Sequence, residues 1–206
     1  MQIQLSDAGK KFNREWIFRG INFTFESGVS YAITGPNGSG KSTLLQAIAG
    51  SMQLAAGSIK WVENNQSIAP EKIYTRLSMA APYLELIEEM TATELISFHA
   101  SFKPLIPGIS IAHILQLIGL EKAMNKQIRY YSSGMKQRVK LAQAIFSDSP
   151  LLLLDEPCTN LDSAGYDLYH SLISTYCGNK TIIVSSNDQH EFSFCKKSIS
   201  ILDYKM

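Results

Sequence analysis

The stretch Gly35-Pro36-Asn37-Gly38-Ser39-Gly40-Lys41-Ser42-Thr43 decides the fold of this chain. It matches the phosphate-binding pattern G-x-x-x-x-G-K-[ST]. Residues 29–34 before it are apolar and typical of a strand, and residues 44–49 after it are apolar and typical of a helix. Because a strand, a glycine loop and a helix are the context that this pattern requires, the stretch predicts a phosphate-binding loop.

The predicted loop supplies several groups that would hold a phosphate. Its glycines allow backbone N–H groups to curl around an anion, and the start of the helix adds partial positive charge. Lys41 would bridge the β- and γ-phosphates of a nucleotide, and the Ser42 hydroxyl would bind Mg²⁺. The candidate binding residues are Gly35, Asn37, Gly38, Ser39, Gly40, Lys41, Ser42 and Thr43.

A second group of candidate residues follows an apolar run far from the loop in sequence. Residues 151–154 are four leucines, which is typical of a strand buried on both faces of a parallel sheet. Asp155 and Glu156 follow at its carboxyl end, where open α/β sheets bind their ligands, and Pro157 ends the strand. Asp155 is therefore a candidate Mg²⁺ ligand, and Glu156 is a candidate base for an attacking water.

The composition limits the classes of protein to be considered. The 206 residues are enough for one sizeable domain, which we predict to span 1–206. A net charge of +1 without a dense Lys/Arg cluster gives no indication of nucleic-acid binding. No apolar run reaches the roughly 18–20 residues that span a bilayer, and the first residues lack the apolar core of a signal peptide. The three cysteines have no metal-ligand spacing, which favours free thiols in the reducing cytosol.

The N-terminal part of the chain predicts two strands, at residues 2–5 and 16–25. The second run alternates apolar and polar side chains, as a half-buried antiparallel strand does. Phe12 is predicted to lie in the loop between these strands, where its ring could stack on a nucleotide base. Trp16 is the alternative stacking residue, and a simple core or edge position for Phe12 is the alternative to stacking.

The spacing of apolar residues changes in the middle of the chain. A short apolar run at 77–81 ends at Pro82, and beyond it the spacing becomes helical. Thr91 with Glu94 three residues later is the pattern of a helix capping box. Residues 84–134 are therefore predicted to form a helical insertion in an otherwise α/β chain.

The rest of the chain combines a second candidate anion site with further strands and helices. Residues 131–138 (YSSGMKQR) precede a predicted helix at 139–147, and a Ser-Ser-Gly turn at a helix N-terminus can bind an anion. On its own, the turn is better explained by helix capping, because many helices begin with Ser for this reason. A helix is predicted at 163–176, and strands are predicted at 181–186 and 199–202.

Taken together, these motifs resemble those of the nucleotide-binding subunit of ABC transporters. The resemblance rests on GPNGSGKST at 35–43, YSSGMKQR at 131–138, LLLLDEP at 151–157 and NLD at 160–162, and it covers essentially the whole chain. It implies an α/β fold with a P-loop NTPase core and a mainly parallel sheet. It also implies an N-terminal antiparallel β subdomain and a helical subdomain inserted at about 84–134.

The resemblance implies a role for each matching residue within one subunit. Phe12 corresponds to the aromatic residue that stacks on adenine. Lys41 and Ser42 correspond to the phosphate and Mg²⁺ ligands, so ATP and Mg²⁺ are the implied cofactors. Asp155 corresponds to the Mg²⁺ partner at the end of the second strand, and Glu156 corresponds to the general base.

Other roles implied by the resemblance act between two subunits. The family forms a head-to-tail dimer with two ATP molecules at the interface, in which Ser132 and Gly134 would contact the γ-phosphate held by the partner. Asp162 would link the two sites across the dimer. ATP then holds the dimer together and hydrolysis releases it, which would move a membrane partner. A homodimer and a heterodimer both agree with the sequence.

The chain departs from the family's pattern at two positions. The family usually has Gln where this chain has Pro82, and proline offers neither an amide oxygen for Mg²⁺ nor a backbone N–H. The family's switch histidine corresponds to Asn187, which can donate a hydrogen bond to a phosphate but cannot carry a proton near neutral pH. Asn187 is nevertheless the candidate catalytic residue at this position, and His190 one helical turn away is the alternative.

The leading hypothesis is an ATPase subunit that powers a separate integral-membrane permease. It would lie in the cytoplasm, peripheral to the inner face of the cell membrane, and the Ser-x-Gly-Met-Lys form of the signature favours export. The alternatives are a soluble ABC ATPase acting on DNA or ribosomes, and an ATP-gated dimer with little hydrolysis because of Pro82 and Asn187. A P-loop kinase would leave the Ser-Ser-Gly turn without a role. The transported substrate is not encoded in these motifs.

Overall fold

The computed structural model describes residues 1–205, which separate into two compact units. The first unit contains residues 1–77, 150–156 and the chain from residue 179 onward. The second unit contains residues 78–149 and 157–178. Both units are therefore built from separate stretches of sequence.

The elements are numbered in chain order. The strands are β1 (Gln2–Phe12), β2 (Glu15–Phe25), β3 (Ser30–Thr34), β4 (Ala56–Glu63), β5 (Gln66–Ile68), β6 (Leu77–Ala80), β7 (Leu151–Asp155), β8 (Thr181–Ser185) and β9 (Lys197–Ser200). The helices are α1 (Lys41–Ile48), α2 (Ala92–Phe102), α3 (Ile111–Leu117), α4 (Ser133–Ile145) and α5 (Ser163–Tyr176). Short 3₁₀ turns lie at Pro70–Thr75, Glu121–Ala123, Ile128–Tyr130, Gln189–Phe192 and Ile201–Tyr204.

An antiparallel sheet in the first unit has the strand order β2-β1-β4-β5. Strand β2 buries Phe18, Ile21 and Phe25 and leaves the residues between them more exposed. The pairing of β1 with β2 shifts register at three points between Leu5 and Lys11, so the buried residues of β2 are not evenly spaced. The predicted half-buried antiparallel strand is confirmed.

A parallel sheet in the same unit carries strands β7, β8, β3 and β9 side by side in that order. Every residue of β7 and of β8 is buried, which explains their runs of leucine, isoleucine and valine. Asp155, the last residue of β7, pairs in register with Ser185, the last residue of β8. Because the strands are parallel, the chain leaves β3, β7 and β8 at the same edge of the sheet, where ligands of such sheets bind.

Helix α1 packs against β7 and β8 and holds the glycine loop at that edge. It buries Leu44, Leu45 and Ile48 completely, which explains the apolar run after the loop. At its C-terminal end, the buried indole of Trp61 donates a hydrogen bond to the carbonyl of Ile48 at 2.8 Å. This bond satisfies one of the carbonyls that a helix end leaves without a partner.

The second unit is helical, as predicted. Helix α2 begins with the predicted capping box, in which Thr91 accepts from the Glu94 N–H and the Glu94 carboxylate accepts from the Thr91 N–H. Helix α4 packs against α2 and α5. Phe146 directly follows α4, and Tyr176 is the last residue of α5. Their rings meet edge to face with centroids 4.9 Å apart.

Several element boundaries differ from those predicted, among them the end of β1, the start of α4 and the end of the last strand. Phe12 is the last residue of β1 and not part of a loop, because β1 stays paired with β2 through Lys10, Lys11 and Phe12 after its pairing with β4 has ended at Gly9. Helix α4 begins at Ser133, since Ser132 caps it, and not at residue 139. The last strand ends at Ser200, and Ile201–Tyr204 is a 3₁₀ turn.

The helical unit is also larger than the predicted insertion at 84–134, because it includes all of α4 and α5. The single domain over 1–206 stays a prediction. Among residues 1–205, no helix combines the length and the apolar character needed to cross a membrane.

Candidate functional site

A cavity of about 200 Å³ lies at the phosphate-binding loop. Its lining consists of Ile17, Asn37, Gly38, Gly40, Lys41, Ser42, Thr43 and Glu156. All of these except Ile17 are residues that the sequence predicts for the site. The fold therefore brings Glu156 to the loop across more than a hundred residues of sequence, as the predicted parallel sheet requires.

Gly40 shows why the loop needs glycine. Its φ of 104° lies in the region that side chains avoid, and a Cβ atom there would stand 2.4 Å from Cγ2 of Ile17. Gly40 is also the N-cap of α1, and no side chain caps this helix. The first N–H groups of α1 therefore point into a glycine loop without a side-chain acceptor, which is the arrangement that binds phosphate.

Lys41 is folded inward over the loop and is only 4% exposed. Its Nζ donates to the carbonyl of Gly35 at 2.9 Å and to the carbonyl of Pro36 at 3.2 Å. These two bonds hold the ammonium inside the curve of the loop. A phosphate oxygen in the cavity would accept from the same group, since an ammonium has three N–H donors.

The carboxyl edge of the sheet holds two buried oxygens that are suited to Mg²⁺. Asp155 is 1% exposed, and in the part of the chain that the structure describes, neither its Oδ1 nor the Oγ of Ser185 has a hydrogen-bond partner. A buried oxygen without a partner is costly, and such a group in a native protein points to an ion or water. Carboxylate and hydroxyl oxygens are the ligands that Mg²⁺ prefers, so the oxygens of Asp155 and Ser185 fit this ion, and so does the hydroxyl of Ser42 in the cavity lining.

Glu156 occupies an unusual backbone conformation directly after β7. Its φ is 42°, in the left-handed region, which costs a non-glycine residue about 1–2 kcal/mol. Its N–H donates to the carbonyl of Ser185 at 2.9 Å, which holds the turn in place. This turn brings the Glu156 side chain to the cavity instead of continuing the strand. Strain of this kind concentrates at functional sites.

The Ser-Ser-Gly turn belongs to the second unit. Ser132 is the N-cap of α4, and its Oγ accepts from the N–H of Met135 at 3.3 Å. Ser132 and Ser133 are exposed, and the Ser132 hydroxyl still has its own hydrogen to donate. A Cβ atom at Gly134 would stand 3.1 Å from the carbonyl oxygen of Asn160, so a larger residue would crowd the backbone there. The turn therefore caps α4 through Ser132 and is still exposed.

Asp162 has a local role in the second unit. It caps α5, because its Oδ1 accepts from the N–H of Gly165 at 2.9 Å. The same oxygen lies 3.7 Å from a guanidinium nitrogen of Arg138 on α4. The role of Asp162 in linking two sites across a dimer stays a prediction.

A second cavity, of about 380 Å³, lies within the helical unit between α4 and the loop that contains Pro82. The residues around it are Pro82, Leu84, Glu85, Leu86, Glu88, Ser133, Lys136, Gln137, Lys140, Thr159 and Asn160. Burial lowers the pKa of Lys140, and the nearby Glu85 carboxylate partly opposes this. Gln137 is 3% exposed and donates to the carbonyl of Pro157 at 2.6 Å, which connects α4 to the segment after β7.

Eight predicted site residues are not in the lining of the first cavity: Phe12, Gly35, Ser39, Ser132, Gly134, Asp155, Asp162 and Asn187. Phe12 is 47% exposed at the end of β1, with Lys10 Nζ 5.0 Å from the centre of its ring. Asn187 is exposed just beyond β8. Both roles stay predictions. Sequence reasoning missed Ile17 and Ser185. Ile17 belongs to no motif. Ser185 could have been predicted, because it is a polar residue at the end of a buried strand that pairs with β7.

The site combines a strand, a glycine loop, a helix whose N-terminus has no side-chain cap, and a buried aspartate at the sheet edge. This combination defines a nucleoside-triphosphate-binding α/β protein. The family model described as ABC transporter matches residues 18–159. In solved structures, the fold is similar to that of a dimeric bacterial ABC transporter cassette, with a TM-score of 0.79 and 23% identity over 97% of this chain and 94% of that one.

Two curated relatives agree with the family model. The uncharacterized ABC transporter ATP-binding protein YybJ of Bacillus subtilis is 29% identical over 195 residues, which cover 94% of this chain and 89% of that protein. The cytochrome c biogenesis ATP-binding export protein CcmA of Agrobacterium fabrum is 29% identical over 198 residues, which cover 92% and 90%. The chain belongs to the ABC transporter family and is its ATP-binding, nucleotide-binding domain.

Proposed function

We propose that this chain hydrolyses ATP and thereby powers transport through a separate membrane permease. The observation that carries the proposal is that the Glu156 side chain lines the same cavity as Lys41 and Ser42. A carboxylate beside a phosphate-binding loop is the arrangement needed to attack a bound phosphate with water. As a subunit of such a transporter, the protein would lie on the cytoplasmic face of the membrane.

Each residue of the cavity has a distinct task in this proposal. The N–H groups at the start of α1 and the Lys41 ammonium hold the phosphates and stabilise the negative charge that develops on them. Ser42 and Asp155 would hold Mg²⁺, which would supply positive charge to neutralise the phosphates. Glu156 would accept a proton from the attacking water, and the hydrogen bond from its backbone N–H to the Ser185 carbonyl holds its backbone next to the loop.

The proposed working form is a head-to-tail dimer of ATPase subunits, either two copies of this chain or this chain with a related one. The similar cassette described above is dimeric in its solved structure. The exposed Ser132 hydroxyl and the N–H groups of the turn that includes Gly134 would then contact the γ-phosphate held by the partner subunit. This supports the turn's role, because a capped but exposed turn retains donors for a second chain.

Export is the proposed direction of transport. The signature of this chain reads Ser-Ser-Gly-Met-Lys over residues 132–136, the form that favours export. The similar protein of Agrobacterium fabrum is named as an export protein, which supports the same direction.

The dimer can be tested with the purified chain. With ATP and without Mg²⁺, so that hydrolysis is blocked, we expect light scattering to give about twice the 22.9 kDa of one chain. With ADP we expect one chain, because no γ-phosphate is present for the Ser-Ser-Gly turn of the partner. With Mg²⁺ we expect steady release of phosphate from ATP. A mass that stays at one chain with ATP, together with no phosphate release, would contradict the proposal.

A second candidate function is an ATP-gated dimer with very slow hydrolysis. The observation that favours it is that Asn187, which replaces the family's switch histidine, is exposed and lies outside the cavity lining. If this position limits turnover, Asn187→His should raise the rate of phosphate release, by about 10²-fold at most for an added proton-transfer group. Asn179→His, in an exposed turn before β8, is the control. An unchanged rate in both variants would show that position 187 does not limit hydrolysis.

A further inference from the structure

The loop that contains Pro82 is held directly by helix α4. We define the connecting loop as residues 81–90, which join β6 to α2. Lys140 on α4 donates through Nζ to the carbonyl of Pro82 at 2.9 Å and to that of Ala81 at 3.5 Å. The ammonium thus interacts with the start of the connecting loop through backbone oxygens, which are present whatever side chain occupies position 82.

A second lysine on the same face of α4 holds the other half of the connecting loop. Lys136 Nζ lies 2.5 Å from Oε1 of Glu88. Lys136 and Lys140 are four residues apart, so they stand one helical turn from each other on one side of the helix. The cavity described above lies between this face of α4 and the connecting loop. Two cations from one helix therefore hold both ends of one loop.

The far end of the connecting loop is bonded to the segment that leads into the Ser-Ser-Gly turn. The N–H of Ile128 donates to the carbonyl of Met90 at 2.9 Å, and the N–H of Arg129 donates to the carbonyl of Glu88 at 3.0 Å. Residues 128–130 form the 3₁₀ turn directly before Tyr131 and Ser132. The connecting loop is thus bonded to the chain before Ser132 and to the helix after it.

The placement of Lys140 is difficult to explain by stability alone. Its ammonium is partly buried, and desolvation of a charge opposes folding unless the charge is well bonded. In the part of the chain that the structure describes, the hydrogen-bond acceptors of this ammonium are the carbonyls of Ala81 and Pro82, and the nearby Glu85 carboxylate acts on it only through its charge. A partly buried cation on two neutral oxygens fixes the relative position of two segments more than it adds stability.

We propose that Lys140 is a positioning residue that fixes the Ser132–Gly134 turn for its contact with the partner subunit's ATP by connecting α4 to the carbonyls of Ala81 and Pro82. This inference rests on the proposed ATP-dependent dimer. The turn begins α4, and the connecting loop restrains the rotation of that helix through Lys140 and Lys136. Loss of the Lys140 bonds lets the turn move, so the turn no longer meets the second chain's phosphate in one fixed geometry.

Lys140→Met tests this inference, because methionine keeps an unbranched apolar side chain and removes the ammonium. The experiment is done in the Glu156→Gln background, so that ATP is not consumed. We expect the ATP concentration that gives half-maximal dimerisation, measured by light scattering, to rise about tenfold, as for a lost hydrogen bond to a charged group. The affinity of the same protein for ADP, measured by calorimetry, should change less than about twofold, because ADP binding uses the loop of the first unit.

Two further variants separate positioning from general stability. Lys140→Arg keeps a cation that can donate to the same carbonyls and should restore dimerisation to within about threefold of the Glu156→Gln parent. Pro82→Ala keeps the carbonyl that Lys140 contacts and should leave the ATP midpoint unchanged. A merely structural Lys140 would instead lower ADP affinity and the melting temperature together with dimerisation.

The experiment distinguishes failure of the Lys140 inference from failure of the proposed ATP-dependent dimer. An ATP midpoint that is unchanged in Lys140→Met, while the parent dimerises with ATP, overturns the inference and leaves the proposed function standing. Equal losses of ADP and ATP binding also overturn it, because they indicate a structural role. If the Glu156→Gln parent never dimerises with ATP, the proposed dimer fails, and the inference fails with it.

Discussion

Glu156→Gln is expected to reduce the rate of ATP hydrolysis by about 10²–10⁴-fold while ATP binding is retained. Glutamine has the same size and can fill the same part of the cavity, but its amide cannot accept a proton from water near neutral pH. The backbone bond from residue 156 to the Ser185 carbonyl does not depend on the side chain, so the turn should survive. Steady-state phosphate release and calorimetric titration with ATP measure the two effects separately.

The same substitution should also stabilise the ATP-bound dimer, since the step that releases it is blocked. Glu121→Gln is the matched control, because Glu121 is exposed on a short turn of the helical unit and belongs to neither cavity. That control should hydrolyse ATP at the parent rate. If Glu156→Gln also hydrolysed ATP at the parent rate, Glu156 would not be the base.

Lys41→Ala should weaken the binding of Mg²⁺-ATP by about 10- to 100-fold. The ammonium is 4% exposed and lies within the curve of the glycine loop, so it is already desolvated and positioned for a phosphate. A hydrogen bond to a charged group contributes about 1.5–3 kcal/mol, and each 1.4 kcal/mol is a factor of ten in affinity. Isothermal titration calorimetry at one fixed salt concentration measures the loss.

The control for this prediction is Lys60→Ala, which removes an exposed lysine from β4 and should leave ATP affinity unchanged. The two variants change net charge equally, so any general electrostatic effect on nucleotide binding cancels between them. An affinity for ATP that is the same in Lys41→Ala, Lys60→Ala and the parent would contradict the assignment of the phosphate-binding loop.

The part of the site that could be predicted from sequence is the part whose residues lie close together in the chain. Nine consecutive residues are enough to predict the phosphate-binding loop. The leucine run before Asp155 and Glu156 predicts both a buried strand and the point where it ends. The parallel sheet then follows from alternating strands and helices, and its carboxyl edge brings Glu156 to the loop. These predictions needed only local pattern and one general rule of sheet topology.

What could not be predicted depends on contacts between distant segments. Ile17 lies beside Gly40 only because of how β2 and the loop pack, and no motif marks it. The hydrogen bond from Lys140 to the Pro82 carbonyl joins residues 58 positions apart, and no sequence pattern predicts that the two residues are in contact. The sequence predicts Phe12 in a loop, but pairing with β2 extends β1 as far as this residue. Helix α4 starts early because the Ser132 cap outweighs the poor helix propensity of serine and glycine.

The position of β3 between β8 and β9 also bears on how the protein is made. The N–H of Gly28, just before β3, donates to the Thr181 hydroxyl across 153 residues, so the strand that feeds the glycine loop finds its neighbours only late in synthesis. At about 5–20 residues per second, the ribosome takes roughly 10–30 s to supply them. During that interval the backbone N–H and C=O groups of β3 lack their partners in β8 and β9, and the nucleotide pocket can assemble only after most of the polypeptide has been translated.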